Sequence, residues 1–186
     1  DVQYKIIEDD EYIHLVLEGS VSLSDWIHNF TFFAFPMFKK PYKNMPDIWL
    51  CHGGFLRLWK SVEDEIAKII KYSNKKLKIS GYSQGGALAL LAHEYFEYHC
   101  RQPETIVFGS PRVLFLPSKK ILKRFKNVTM IKTSGDIVTH LPPVCFGFIH
   151  PVKRNIFGKM KYNPIKQHYY STYVEVLENA ITNVSE

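Results

Sequence analysis

Leu77-Lys78-Ile79-Ser80-Gly81-Tyr82-Ser83-Gln84-Gly85-Gly86-Ala87-Leu88-Ala89-Leu90-Leu91-Ala92 is the stretch on which the reading of this chain turns. Leu77 to Ile79 reads as a short apolar strand, and Gln84 to His99 as a helix whose first half is almost wholly small or apolar. Between them Gly81-Tyr82-Ser83-Gln84-Gly85 matches the G-x-S-x-G turn in the strand, turn and helix setting that the pattern requires. The small residues have a steric reason. Ser83 must take a strained backbone conformation that presents its hydroxyl outward, and the close approach of strand and helix leaves no room for side chains at Gly81 and Gly85. A tight strand-helix turn without chemistry is the competing reading.

The same alternation extends to both sides. Upstream, Gln3 to Ile7 and Tyr12 to Leu17 flank the acidic run Glu8 to Glu11 and read as a hairpin. Asp47 to Cys51 is a candidate strand, and Phe55 to Tyr72 a helix with Leu56, Trp59, Val62, Ile66, Ile69 and Ile70 on one stripe. Downstream, Thr105 to Phe108 and Val128 to Lys132 read as strands and Pro117 to Lys126 as a helical crossover. Short strands over Val144 to Ile149 and Val152 to Phe157 precede a closing helix, Tyr169 to Ala180. This succession predicts one α/β domain over residues 1–186, with a mostly parallel central sheet and helices on both faces. Trp26, Ile27, Phe30 and Phe33 suggest a short amphipathic helix. The aromatic run that continues to Phe38, broken by Pro36 and followed by Lys39-Lys40-Pro41, is expected to form a surface flap, a lid within 22–40.

Composition narrows the classes. In 186 residues, 46% hydrophobic and 23% charged, a core forms without disulfide or metal staples, and disorder is excluded as the main state. A formal charge of +6 suits an anionic membrane surface, nucleic acid or plain solvated lysine faces. The Lys and Arg pairs are scattered and no recognition helix or finger accompanies them, so nucleic-acid binding is not expected. Cys51, Cys100 and Cys145 lack ligand spacing. His93-Glu94-Tyr95-Phe96-Glu97 has Glu97 where a helical zinc site needs its second His, so no metal is expected. No leader pattern opens the chain and no apolar run reaches the roughly 18–20 residues that span a bilayer. Compartment, cytoplasmic or secreted, stays open, as does oligomeric state.

An unassisted serine is a poor nucleophile, so a base and an orienting acid are sought downstream, in Ser, Asp, His order. Asp136 follows the strand Val128 to Lys132 on a Thr133-Ser134-Gly135 loop, at a strand's C-terminal end where catalytic groups of open α/β sheets collect. Only His140, His150 and His168 come after it. His140, four residues on in the same segment, suits loop stabilisation. His150 ends a strand ahead of Pro151, and His168 lies just before the closing helix, which can return it over the sheet edge. Spacing leaves these two open.

Further segments go with the elbow: Leu15 to Ser20 with Ser24-Asp25-Trp26, His52-Gly53-Gly54-Phe55, Phe108-Gly109-Ser110-Pro111-Arg112-Val113, and Gly135-Asp136-Ile137-Val138-Thr139-His140-Leu141-Pro142-Pro143. In order, over roughly Leu15 to Tyr170, they resemble the class 3 lipase family of α/β hydrolases, the fungal triacylglycerol lipase type. The resemblance implies a compact α/β-hydrolase fold and a triad of Ser83 as nucleophile, Asp136 as acid and His168 as base. Phe146 to His150 looks like a separate family segment ahead of that histidine. Ser20 and Gln84 correspond to the oxyanion donors through their backbone N–H groups. Glu18 stands where an Arg is common in the family, and the stretch from Asp136 to His168 is short. Implied with the triad is carboxylic ester hydrolysis through an acyl-enzyme, foremost of triacylglycerol, with no cofactor and with peripheral contact to a lipid interface. A small-ester esterase, a phospholipase A1 and a catalytically inactive lipase-like binding module are the alternatives.

Overall fold

A computed structural model describes residues 2–19, 50–99, 101–159 and 163–182. In chain order the elements are β1 (Tyr4–Glu8), β2 (Tyr12–Leu17), β3 (Leu50–Cys51), α1 (Gly53–Lys71), β4 (Lys76–Tyr82), α2 (Gln84–Tyr98), β5 (Glu104–Phe108), β6 (Leu114–Phe115), α3 (Lys119–Lys123), β7 (Val128–Thr133), β8 (Phe148–Ile149), β9 (Arg154–Phe157) and α4 (Tyr170–Thr182). Single turns of 3-10 helix occupy Val138–His140, Val144–Phe146 and Lys166–His168. Ser20 and the lid expected within 22–40 lie outside the described residues, as does most of the Asp47 to Cys51 strand.

Period-two alternation builds the main sheet. Ile13, Leu15 and Leu17 of β2, and Leu77, Ile79 and Gly81 of β4, point to one face and are buried; Val107 and Met130 continue that face across β5 and β7. Strand order is β1-β2-β4-β5-β7-β9. The β1 to β2 hairpin is antiparallel, and every later pairing in this sheet is parallel. A second, small antiparallel sheet joins β3, β6 and β8.

Helix α2 lies against β2, β4 and β5 and has α1 on its outer side. That double burial explains why Ala87 through Ala92 carry no polar residue: all six are sealed between sheet and helix. α1 turns Phe55, Leu56, Trp59, Val62, Ile66 and Ile70 into the same core. The opposite sheet face receives α4, whose Tyr170 and Tyr173 meet the ring of Tyr82. Helices therefore sit on both faces, as expected, but coverage is uneven among the described residues. Ile106, in the middle of that second face, is 44% exposed.

Two local expectations change. Val144 to Ile149 is not one strand, because Pro143 and a left-handed Gly147 (φ 85°) enclose a 3-10 turn and leave only Phe148–Ile149 paired. The crossover helix covers only Lys119–Lys123. Ser118 caps it by accepting from the Ile121 N–H (3.3 Å), and the chain then turns, with Val128 N–H donating to the Phe125 carbonyl (3.0 Å), to enter β7 with Ile121 and Phe125 buried.

Candidate active site

The elbow is closed by backbone contact. A Cβ added at Gly81 would stand 2.2 Å from the Gly85 carbonyl oxygen, and one at Gly85 would stand 2.1 Å from that of Leu17, distances no side chain tolerates. β2, β4 and the first turn of α2 are thereby pressed together, and the chain between them must bend sharply. Ser83 absorbs the bend at φ 56°, ψ −121°, a conformation non-glycine residues rarely hold. Its N–H donates to the Phe108 carbonyl (2.9 Å) and its carbonyl accepts from Ala87 N–H (3.2 Å), so the strain is fixed from both sides. Gln84 is the first residue of α2, where backbone N–H groups lack intrahelical partners. Gly19, next to the undescribed Ser20, runs alongside: its added Cβ would meet Ser83 Cβ at 3.4 Å.

Asp136 and His168 arrive from elsewhere. Asp136 follows β7 and is wholly buried, its backbone N–H turned onto the Thr133 carbonyl (3.3 Å). His168 is carried by the 3-10 turn ahead of α4 and is equally buried. Ser83 Oγ lies 2.7 Å from His168 Nε2, and His168 Nδ1 lies 3.0 and 2.9 Å from the two Asp136 oxygens. With Nδ1 donating to the carboxylate, Nε2 is left to accept from the Ser83 hydroxyl. Val138 N–H donates to Asp136 Oδ1 (2.9 Å) and the Tyr173 hydroxyl donates to Oδ2 (2.5 Å), so three donors hold the carboxylate.

Three other histidines have structural partners. His150 donates from Nε2 to the Thr139 carbonyl (2.8 Å), and burial pushes its pKa down to about 3, so it is a neutral strut of the acid loop and does not reach Ser83. His140 accepts from Lys132 Nζ (3.0 Å) in the same loop. His93 is buried between Thr105 Oγ1 (2.9 Å) and the Arg124 carbonyl (3.0 Å). Among the described residues no group of three or more His, Cys, Asp or Glu is arranged to hold a metal ion.

Three contributors escape a reading of the sequence. Tyr82 stacks on His168 (centroids 5.3 Å apart, planes at 20°) and donates its hydroxyl to the His168 carbonyl. Tyr173 also accepts from Thr133 N–H (3.2 Å), tying β7 to the carboxylate. Gly109, at φ 58°, makes room for the triad: its Cβ would stand 3.0 Å from His168 Cε1 and 3.2 Å from Asp136 Oδ2. Only Gly109 left a signal, as a glycine directly after a strand; nothing singles out Tyr173 among eleven tyrosines. Beside the elbow, on the face opposite α2, a groove of about 470 Å³ is walled by Val16, Gly19, Ser80, Tyr82, Phe108 and Tyr170, with Ser83 off its wall.

This geometry coincides with the outcome of comparison with known proteins. The family model for lipase (class 3) matches residues 14–146. The chain belongs to the class 3 lipase family. The match takes in Ser83 and Asp136 and stops before His168, so His168 is singled out by the contacts above alone. A lipase of Rhizomucor miehei is 30% identical over 159 residues, 77% of this chain and 41% of its own length. A secreted mono- and diacylglycerol lipase of Fusarium solani is 30% identical over 142 residues, 72% of this chain and 40% of its own. Lipase II of Rhizopus niveus superposes with a TM-score of 0.73 at 25% identity, covering 84% of this chain and 62% of that one. The chain thus spans about two fifths of the length of the first two relatives.

Proposed function

We propose that this class 3 lipase chain forms a single domain that hydrolyses carboxylic esters of apolar acyl groups, acylglycerols foremost and triacylglycerol among them, with Ser83, His168 and Asp136 as its triad. The observation that carries the reading is the unbroken hydrogen-bond chain from Ser83 Oγ through His168 to Asp136. The activities of the relatives, a lipase and a mono- and diacylglycerol lipase, support the substrate class. His168 Nε2 takes the Ser83 proton as Oγ bonds to the ester carbonyl carbon, and Asp136 holds the tautomer and offsets the imidazolium charge. Gln84 N–H donates to the developing oxyanion, with Ser20 N–H as the second donor. Collapse of the adduct expels the alcohol, which takes the proton from His168. Water then gives a proton to His168 as its oxygen attacks the acyl carbon, and collapse of this second adduct breaks the acyl–Oγ bond, Ser83 Oγ taking the proton back from His168 as the acid leaves.

The test is the initial rate on short-chain and long-chain glycerol esters and on a phosphatidylglycerol, for the native chain and Ser83→Ala. Turnover on glycerides that vanishes in Ser83→Ala, with an unchanged circular dichroism spectrum and covalent labelling by a fluorophosphonate only in the native chain, is the expected result. Turnover that survives in Ser83→Ala, or a native chain that takes no label, overturns the assignment.

A further inference from the structure

Three cations gather under the loop that carries Asp136. The register of β7 and β9 pairs Met130 with Arg154 and Lys132 with Ile156, so Lys132 and Arg154 stand on the same face of the sheet. Both hold the loop above them. Arg154 Nη1 donates to the Thr139 carbonyl (3.1 Å), and Lys132 Nζ donates to His140 Nε2 (3.0 Å). Arg112, from the segment after β5, donates from Nη1 to the carbonyls of His140 and Pro142, the second at 2.8 Å. Three positive side chains are thus fastened to four consecutive residues, Thr139 to Pro142. Arg112 is 6% exposed, Lys132 5%, and Arg154 half-buried.

Among the described residues no carboxylate forms an ion pair with any of the three. Asp136 is the carboxylate whose field reaches Lys132 and Arg154, and it is already bonded to His168, Tyr173 and the Val138 N–H. Burial pushes the Lys132 ammonium below its usual range, and Arg154 and Arg112 push it the same way against Asp136. Donors are left over as well. Lys132 gives one of its three N–H groups to His140, and each guanidinium uses Nη1 alone, so Nε and Nη2 of Arg112 and Arg154 have no acceptor among the described residues. A buried cation without counter-charge or full hydrogen bonding is costly, and an anion completes such an arrangement.

We infer that Arg112, Lys132 and Arg154 form a binding site for a tetrahedral oxyanion of the phosphate type, free or as a monoester. Guanidinium forks and an ammonium are donors that suit phosphate oxygens, and a dianion offsets the charge that Asp136 leaves over. His140 is exposed and stands at the mouth. Its Nε2 holds the acceptor position on Lys132, and a phosphate oxygen takes that position as the ring turns outward. A carboxylate brings one charge to three cations, and the phosphates of a nucleic-acid strand do not reach side chains set this deeply. The bound anion ties Thr139 to Pro142 onto β7 and β9, so occupancy steadies the segment that places Asp136. Binding needs neither Ser83 nor His168, so the inference stands apart from the proposed hydrolysis.

Titration calorimetry at pH 7 with inorganic phosphate and with glycerol phosphate, acetate alongside and ionic strength held with sodium chloride, tests it. The expected result is one anion per chain with a dissociation constant of about 1 mM or below. Binding should weaken about tenfold or more in Lys132→Gln and in Arg154→Gln and stay unchanged in Lys153→Gln, an exposed neighbour outside the cluster. Tighter binding of glycerol phosphate assigns a monoester, and equal or weaker binding assigns the free anion. Circular dichroism checks that the variants are folded. Hydrogen exchange of the native chain needs no variant: phosphate should slow exchange in residues 137–150, leave the lysine-rich 119–127 unchanged and raise the unfolding midpoint. No binding beyond that of chloride, acetate bound as tightly as phosphate, protection in 119–127 instead of 137–150, or folded Lys132→Gln and Arg154→Gln chains that bind like the native one, each overturns it.

Discussion

The two halves of the candidate site are built in opposite ways. The elbow is built of backbone: the seven residues from Gly81 to Ala87, with the main chain of Leu17 and Phe108, fix Ser83, and a Cβ added at either essential glycine would stand 2.2 or 2.1 Å from a carbonyl oxygen. The acid and base half is assembled at a distance. Asp136, His168 and Tyr173 meet across more than thirty residues, held by side-chain hydrogen bonds between β7, a 3-10 turn and α4. A backbone-built site tolerates no added atom and takes from remote segments only their main chain, as at Leu17 and Phe108. A side-chain-built one degrades in graded steps as each bond is removed, and substitutions can show whether this division is real.

The largest effect on stability belongs to the elbow. Gly85→Ala places a methyl group against the Leu17 backbone, with no flexible side chain to give way, and about 3 kcal/mol or more of stability should be lost. Gly54→Ala, whose methyl meets only the His52 ring at 3.1 Å, is the control and should cost under about 1 kcal/mol. Urea unfolding of the pair measures both. Comparable losses would remove the distinction between backbone closure and ordinary packing. Next comes Asp136→Asn, which keeps the size of the side chain but misdirects the His168 tautomer; kcat should fall about 10⁴-fold with the protein still folded.

Legibility in the sequence followed the same division. The elbow could be read from consecutive residues because covalent connection dictates its geometry, and the mostly parallel character of the sheet followed from apolar strands alternating with crossover helices, whereas the strand order did not. His150 and His168 could not be separated by spacing, since both follow strands or turns that return to the sheet. What separates them is tertiary: His150 donates to a carbonyl in the acid loop, whereas His168 bridges Ser83 and Asp136. The uneven cover of the second sheet face was also beyond reach, because Ile106 reads as a core residue in a period-two pattern and is partly open in the structure.

The acid and base half should also be the more sensitive to acid. Burial lowers the His150 pKa to about 3, with a lesser push from Arg154, Arg112 and His140, against about 6.5 in an unfolded chain. Below pH 6.5 the unfolded state takes up a proton that the folded state refuses, so this stability is present at neutral pH and is lost as pH falls towards 3. Between pH 7 and pH 5 the loss from His150 alone is about 2 kcal/mol. His150→Gln, which retains an N–H donor for the Thr139 carbonyl, should lessen the fall in unfolding free energy by that amount. An unchanged slope would mean that His150 is not a neutral strut.

The smallest effect is the most discriminating. Tyr173 touches Asp136 Oδ2 at 2.5 Å and accepts from Thr133 N–H at 3.2 Å, and Tyr173→Phe removes both contacts while leaving the ring against Tyr82. Losing the second strands a buried N–H, at about 1–2 kcal/mol of stability. Losing the first leaves Asp136 Oδ2 with His168 Nδ1 as its remaining partner, so the carboxylate orients the His168 ring with one fewer restraint. If the hydroxyl positions the acid, kcat should fall about tenfold with KM unchanged, measured well below the melting temperature. A variant with lower stability and native kcat would instead make Tyr173 a brace for the end of β7, and the precision of the triad would rest on His168, Val138 N–H and the Tyr82 stack alone.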